Sequence, residues 1–550
     1  MKISRIREFK NFCLATAILV AGASLASCSS SDDIAENNQQ PVENPTAPKI
    51  YTMTIQASKG DGATTRGLYT STTDGKTSLN VKWNEGEVVD VYQNNSKKGT
   101  LTAAASNNGS TTLTGEVSGL EDMDITFYLH SYDRDYTNQK GVLLKPEMGE
   151  DNSIETKYDF AQCTVAYNKI SINGTTISVP GGIALASSQA IVKFMLKDKS
   201  NDADLNASEL VVNVGTTDYT ITPGSATNEL YVAIPDISGQ TVNLTATVGS
   251  DTYTYDKSGV TFTNGQYYEI NVKMLKTKSI NAGSVEVPAG EHWLIKGTVD
   301  VTSNQITIRN GATVTLDGVN IKRDNRNGGV DSYCIKCEGN ATIILKDGST
   351  NTLTSLNDMP GEHDYPALWV GNKVDNNVTT LTIKGETAGT GALTVQSGTN
   401  SYCAGIGSGV GKPCGHIVIE GGFITATGGA YAAGIGSGDA CGNITIKGGT
   451  IEATGGNYAP GIGSGYKGSC GAITIASTVS SVTATKGDGA PYSIGAGEQA
   501  VSCGTVKYDD RVMYDGSAWT TTPEHGNSYG GLKFAVSKTV YDGDTWTLTP

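Results

Sequence analysis

The chain has 550 residues, 55 of them Asp or Glu against 40 Lys or Arg, for a formal net charge of −15. That length favours about three domains over a single core. The acidic balance argues against a nucleic-acid partner, which would need a broad basic face and not short Lys/Arg groups. Five histidines leave little material for a catalytic triad or a metal cage, so no enzymatic activity, metal or cofactor is expected.

Lys2, Arg5, Arg7 and Lys10 precede an apolar stretch from Phe12 to Ala23, which is too short to span a bilayer and reads as a signal peptide. Small residues follow in the order Leu25, Ala26, Ser27 and Cys28. This layout resembles a bacterial lipobox. The resemblance implies a signal peptide over residues 1–27 and lipid on Cys28, the first residue of the mature chain. Ser29, Ser30, Ser31, Asp32 and Asp33 resemble the surface-export signal of Bacteroidetes lipoproteins. The expected location is therefore the cell outer membrane, lipid-anchored and facing outward, with membrane lipid as a partner through Cys28. Residues 28–49 carry Pro41, Pro45 and Pro48 among Asn, Gln and Glu, a composition that builds a tether and not a core.

Glycine fills 68 positions, well above the usual ~7%, and long Leu/Ala/Glu/Lys helical patterns are missing. From residue 50 to about 275 the runs alternate with strand periodicity. Strands are expected at 51–56, 88–92, 111–117, 125–131, 191–196, 209–214, 218–222, 230–234, 241–248 and 267–275. Asn-Gly pairs at 108, 173 and 264 mark turns. Each run has one apolar face, so two sheets are expected to pack together. Trp83 is expected in the first core.

Three segments carry a resemblance to the fimbrillin, or Mfa-like, family of Bacteroidetes pilins and pilus-associated lipoproteins. They are Tyr51–Gly60, then Thr65-Arg66-Gly67-Leu68, then Leu79–Tyr92. Gly182–Phe194 resembles the start of that family's second β domain. The resemblance covers about 40% of the chain. It implies two β-sandwich domains, residues 50–180 and 181–276, built for adhesion or pilus assembly, with pilus subunits as partners. It also makes Arg66 a candidate protease-processing site, since polymerising members lose the first strand after such an Arg and accept a strand from a neighbour.

Residues 400–505 repeat themselves. The sequence Ala-Gly-Ile-Gly-Ser-Gly or a close variant recurs with its Ile at 406, 435, 462 and 494. A Cys-Gly follows at 414, 441, 470 and 503, and a Tyr precedes at 402, 431 and 458. Weaker copies surround Tyr333 and Tyr365, and Ile306–Ile308 looks like the opening coil. Each unit holds three short strand-like pieces joined by glycine corners, and such a unit cannot bury its own apolar face. Stacking solves that, so residues 277–507 are expected to form a right-handed parallel β-helix. A β tail, 508–550, would follow. This half resembles the Gly-rich β-helix repeats of secreted bacterial surface and carbohydrate-binding proteins.

The aligned cysteines should form a ladder. Coil spacing of about 4.8 Å falls within the roughly 4.4–6.8 Å Cα separation a disulfide requires, so bonds between coils are open to it. The expectation adopted is a stack of small buried thiols. Ser408, Ser437 and Ser464 read as corner residues. An irregular insertion, Asp358–Trp369, contains His363 and Tyr365 and could frame a glycan-binding cleft with Lys322, Arg323, Arg326 and Asp331. The function expected is a cell-surface adhesin or a tip or anchor subunit of a pilus, touching a host or microbial glycan or protein. The alternative is a lipoprotein that binds or degrades carbohydrate through those loops. Outward aromatics or carboxylates stacked on one β-helix face would favour the alternative.

Overall fold

The structure is a computed structural model that describes residues 48–59, 69–73, 76–80, 83–106, 109–144, 152–324, 333–356, 365–371, 373–374, 377–409, 411–517, 528–529, 532–536 and 545–549. Cys28, Ser29, Ser30, Ser31, Asp32, Asp33, Arg66, Arg326, Asp331, Asp358 and His363 lie outside the described residues. From Ile50 onward the described chain is almost wholly β, organised around three hydrophobic cores. Each of the ten expected strands overlaps an observed one.

The first core sits inside a closed barrel, where the sequence reading expected a sandwich. Ile50–Lys59 pairs antiparallel with Ser110–Ser118, and the ring continues through Ser96–Ala103, Val88–Gln93, Ile125–Leu129, Ala161–Val165 and Ile183–Ser187. The last of these returns in parallel to the first strand, with Ala57 beside Ile183. Seven strands thus close without a free edge. The reason the two folds were confused is physical. Alternation buries Met53, Ile55 and Ala57 on one side of the first strand, and one-sided burial is the same in a sandwich and in a barrel. Ser96–Ala103 and Ala161–Val165, which carry few large apolar residues, and the short Ile183–Ser187 are the barrel strands that alternation did not reveal. Trp83 is buried in this core and donates from Nε1 to the Gly109 carbonyl at 3.0 Å.

At the end of the first strand lies a buried ionic cluster. Lys59 Nζ sits 2.5 Å from Glu87 Oε1 and 3.8 Å from Asp159, with the Trp83 ring 4.7 Å away. His130 Nε2 is 3.0 Å from the same Glu87 oxygen. Burial by itself would raise the Glu87 carboxyl, but the His130 hydrogen bond and the Lys59 charge outweigh it and hold the group below its ordinary range.

The second core is a sandwich. One sheet places Ala190–Asp198 between Glu229–Ile234, antiparallel, and Tyr267–Ser279, parallel. The other runs Thr217–Ile221, Glu209–Val214, Ile237–Val248 and Asp251–Phe262, all antiparallel. Tyr136, Leu143, Tyr158 and Phe160 belong to the connection between two barrel strands, yet they pack into this second core. Gln139 in the same connection bonds both the carbonyl and the amide of Ala233. Barrel and sandwich are therefore interlocked through side chains far apart in sequence.

Beyond the sandwich the chain coils. Three ladders of parallel strands run side by side, as in a β-helix. On one, Val285, Ile306, Ile335, Leu368, Ile406, Ile435, Ile462 and Ile494 stand in register through successive coils. On another, Val314, Ile343, Ile383, Ile419, Ile446 and Ile475 do the same. On the third, Leu353, Val395, Ala426, Ala453 and Ala484 align. All these side chains are buried in one continuous core. Glycine is required at the Ile-Gly corner: Gly436 has φ +135°, and a Cβ there would meet the Gly463 carbonyl oxygen at 2.0 Å.

Strands pack onto part of each end of the coil stack. At the first end, Tyr267–Ser279 leaves the sandwich and pairs in parallel with His292–Thr302, Lys276 opposite Trp293. Lys346 of the coils reaches Asp256 of the sandwich at 3.1 Å, and the Ser200 hydroxyl exchanges hydrogen bonds with the His292 backbone. At the other end, Thr545–Thr549 lies antiparallel on Ser481–Thr485, with Leu532–Val536 beyond it. The glycine corner yields a test. Gly436→Ala combines an unfavourable backbone conformation with overpacking, each worth about 1–3 kcal/mol, and should lower stability by about 2–5 kcal/mol in denaturant unfolding. Gly348→Ala, at φ +72° with nothing within 4 Å, should cost only the backbone part. Equal costs would contradict the close stacking.

Candidate functional site

Two aromatic clusters stand on the β-helix. The first gathers part of the expected glycan cleft. Tyr333 stacks on Trp369 with centroids 5.1 Å apart and meets Tyr365 edge-on at 4.9 Å. The Lys412 ammonium lies 3.3 Å from the Tyr365 ring centre, and Lys336 is 5.8 Å from both Tyr333 and Trp369. Tyr365 and Tyr333 are buried and the Trp369 ring is half-buried. Arg323 is not gathered with them in any contact found among the described residues. It is buried, and its guanidinium donates to the Ser303 carbonyl at 2.7 Å and to Gln305 at 3.2 Å. Lys322 faces Asp300 at 3.5 Å.

The second cluster is the more open. Tyr402, Tyr431 and Tyr458 hold the same place in three successive coils, four residues before each Ile-Gly. Tyr431 meets Tyr402 edge-on at 4.9 Å and lies parallel to Tyr458 at 5.6 Å, with 8° between the rings. Tyr466 comes from the opposite corner and leans at about 50° to both Tyr431 and Tyr458, 5.4 and 5.9 Å away. These rings line a cleft of about 620 Å³ whose remaining wall is Gly438, Asp439, Lys467, Glu498 and Gln499. The two corners are sewn together by backbone bonds, Tyr466 N–H to the Tyr431 carbonyl and Glu498 N–H to the Tyr458 carbonyl, both 2.8 Å. The Tyr466 hydroxyl donates to Gln499 Oε1 at 3.2 Å.

The backbone around this cleft is unusual. Tyr431, Tyr458, Lys467 and Gln499 all have positive φ, between 54° and 63°. A bulky residue pays about 1–3 kcal/mol to sit there, and asparagine or glycine would sit there at lower cost. The tyrosine period was legible in the sequence, but the rings were read only as neighbours of corners. Tyr466, Lys467, Glu498 and Gln499 were missed because the position after Ile-Gly-Ser-Gly does not repeat in residue type.

The cysteine ladder departs from the expected stack of thiols. Cys414 and Cys441 are joined by a disulfide across adjacent coils, Cα atoms 4.6 Å apart. Parallel register brings equivalent residues to the separation a disulfide needs, so this bond requires no distortion of the coils. The next pair, Cys470 and Cys503, holds its sulfurs 3.1 Å apart as thiols. Cys334 and Cys337 lie in the core, where burial pushes both thiols up to about 12. That environment makes them inert packing groups. Among the described residues no group of three or more His, Cys, Asp or Glu side chains could hold a metal. No helix among them is long and apolar enough to cross a membrane.

A β-helix repeat family matches residues 417–439 and 444–466. No curated protein matches the chain. Among solved structures, a protein assigned to cell adhesion from Bacteroides uniformis is 12% identical, with 40% of this chain and 93% of that one covered and a TM-score of 0.23. A fimbrial assembly protein from Parabacteroides distasonis is 12% identical over 40% of this chain and 90% of its own, TM-score 0.22. A shaft pilin from Lactobacillus rhamnosus GG is 10% identical over 41% and 97%, TM-score 0.17.

The thiol assignments are checked by mass mapping of residues 50–550 without reductant. One cross-link, Cys414 to Cys441, is expected, and Cys334 and Cys337 should take up alkylating reagent only after unfolding. Free Cys414 and Cys441, or native-state labelling of Cys337, would contradict the assignment.

Proposed function

We propose that this chain is a non-enzymatic, surface-displayed adhesion module: a lipoprotein held to the outer membrane through Cys28, with Ser29, Ser30, Ser31, Asp32 and Asp33 as its export signal. In this reading the barrel and sandwich are the mount and the β-helix, wound right-handed, is the displayed element. The carrying observation is the strand Tyr267–Ser279, which belongs to the sandwich at one end and to the first β-helix rung at the other. A shared strand transmits no hinge, so whatever the coils touch is held rigidly to the mount. The residues that stand for contact with a glycan or protein partner in this reading are those of the first aromatic cluster, Tyr365 and Trp369 among them. Arg326, Asp331, Asp358 and His363 belong to the same proposed contact, and Arg323, held by the Ser303 carbonyl and Gln305, is left out of it.

Within a pilus the proposed place is a tip or an anchor, not the stalk. Removal of Ile50–Lys59 after cleavage at Arg66 would open the barrel, leaving the edges of Ser110–Ser118 and Ile183–Ser187 for a donated strand. The end of the chain supports a non-donor role, since Thr545–Thr549 is engaged in covering the last coils of its own β-helix. The test is to treat purified residues 29–550 with an Arg-specific protease and examine the product by size and electron microscopy. Monomers, or capping of another pilin's polymers, are expected. Regular homopolymeric filaments would overturn the tip-or-anchor placement.

A further inference from the structure

We propose that the tyrosine cleft of the later coils is a binding site for a neutral oligosaccharide, a chain of pyranose rings lying along the coil axis. This rests on the reading of the β-helix as the displayed element. It assigns the contact to a place other than the loops around Tyr365 and Trp369.

The chemistry of the wall selects the ligand. Tyr431, Tyr458 and Tyr466 are close enough to form one apolar surface, and the roughly 50° lean of Tyr466 turns that surface into a notch open to solvent. Tyr458 is 37% exposed, a large aromatic left uncovered at the centre of a concave site. Around the notch stand acceptors, the Asp439 and Glu498 carboxylates, and donors, the Lys467 ammonium and the tyrosine hydroxyls. Among the described residues neither carboxylate forms an ion pair. A ligand that matches must offer flat apolar faces and a rim of groups that both donate and accept. A pyranose ring does both, and few other small polar molecules do.

Other occupants fit less well. A strongly acidic polymer would meet two carboxylates on a chain of net charge −15. A quaternary ammonium needs ring faces converging on one point. Here the Lys467 ammonium, 5.0 Å from the Tyr466 ring centre, would repel a second cation from the wall. The repeat is itself informative. The tyrosines recur at the coil spacing, so the surface is periodic along the axis, as is an oligosaccharide. Tyr431 and Tyr458 share one left-handed corner position in successive coils, and Lys467 and Gln499 share another, so the backbone sets the cleft's side chains at a fixed repeat.

The experiment uses residues 29–550 and isothermal titration with maltohexaose, cellohexaose and a mannohexaose. Polygalacturonate and tetramethylammonium serve as charged controls. Binding of at least one neutral hexasaccharide is expected, weakened tenfold or more by Tyr458→Ala and much less by Tyr458→Phe. Gln499→Ala and Glu498→Gln, on exposed or half-exposed side chains, should each weaken binding severalfold with the unfolding midpoint unchanged, which separates ligand loss from misfolding. Failure of all three neutral sugars to bind, or binding unaltered by Tyr458→Ala and Glu498→Gln together, would overturn the proposal. Tighter binding of either charged control than of any neutral sugar would also overturn it. Such a failure would leave the mount-and-display reading intact, because that reading is judged by the state of the protease-treated protein and not by sugar binding.

Discussion

Parallel backbone pairing between successive coils, kept in register by equivalent side chains, is the interaction on which the rest of this molecule depends. A unit of three short strands such as His416–Ile419, Phe423–Thr427 and Ile406–Gly407 buries nothing by itself. Stacked, Ile417, Ile444 and Ile473 form one column, and Ile424, Ile451 and Val482 form another. The column is what excludes water, at roughly 25 cal/mol per Å² of apolar surface covered. The glycine corners serve the same end. Gly407, Gly436 and Gly463 each leave room for the next coil's carbonyl where a Cβ would collide. The same register explains the disulfide at Cys414 and Cys441 and the alignment of three tyrosines on the outer surface.

A stack of parallel strands has two exposed ends, each offering unpaired backbone groups to any passing strand. This chain covers part of each. The sandwich covers one by extending Tyr267–Ser279 into the first rung, reinforced by Lys346 with Asp256 and by Ser200 with His292. Antiparallel strands near the end of the chain cover the other. The mount is likewise knit together, since aromatic residues between two barrel strands complete the sandwich core. Barrel, sandwich and coils are therefore joined through packed strands and not through a linker.

The repeat was the most legible part of the sequence, because every coil restates the same burial pattern. Ile444 and Ile446 point inward with Thr445 outward, as alternation required. The barrel was legible only as strands. Whether an alternating strand closes a ring or faces a second sheet depends on its two neighbours, and the pairing of Ala57 with Ile183 spans more than a hundred residues of chain. Asp251–Phe262, with most of its side chains outside the core, gave no apolar alternation to read. Tyr365 and Trp369 are site candidates in the sequence and each packs against Tyr333, while Arg323, a candidate with them, is buried and bonded to backbone and Gln305. The tyrosine cleft could not be seen as a cleft, because half its wall comes from positions that vary between coils.

Core, corners and cleft all depend on the register between coils. The direct measurement is paired-cysteine cross-linking on the outer face, where Thr425 lies opposite Glu452. The double variant Thr425→Cys with Glu452→Cys should form a disulfide readily under mild oxidation, since in-register neighbours fall within the roughly 4.4–6.8 Å Cα range. The double variant Thr425→Cys with Thr454→Cys is two residues out of register and should not. A cross-link in the second pair and none in the first would contradict the stack, and with it the mount, the disulfide and the cleft that depend on it.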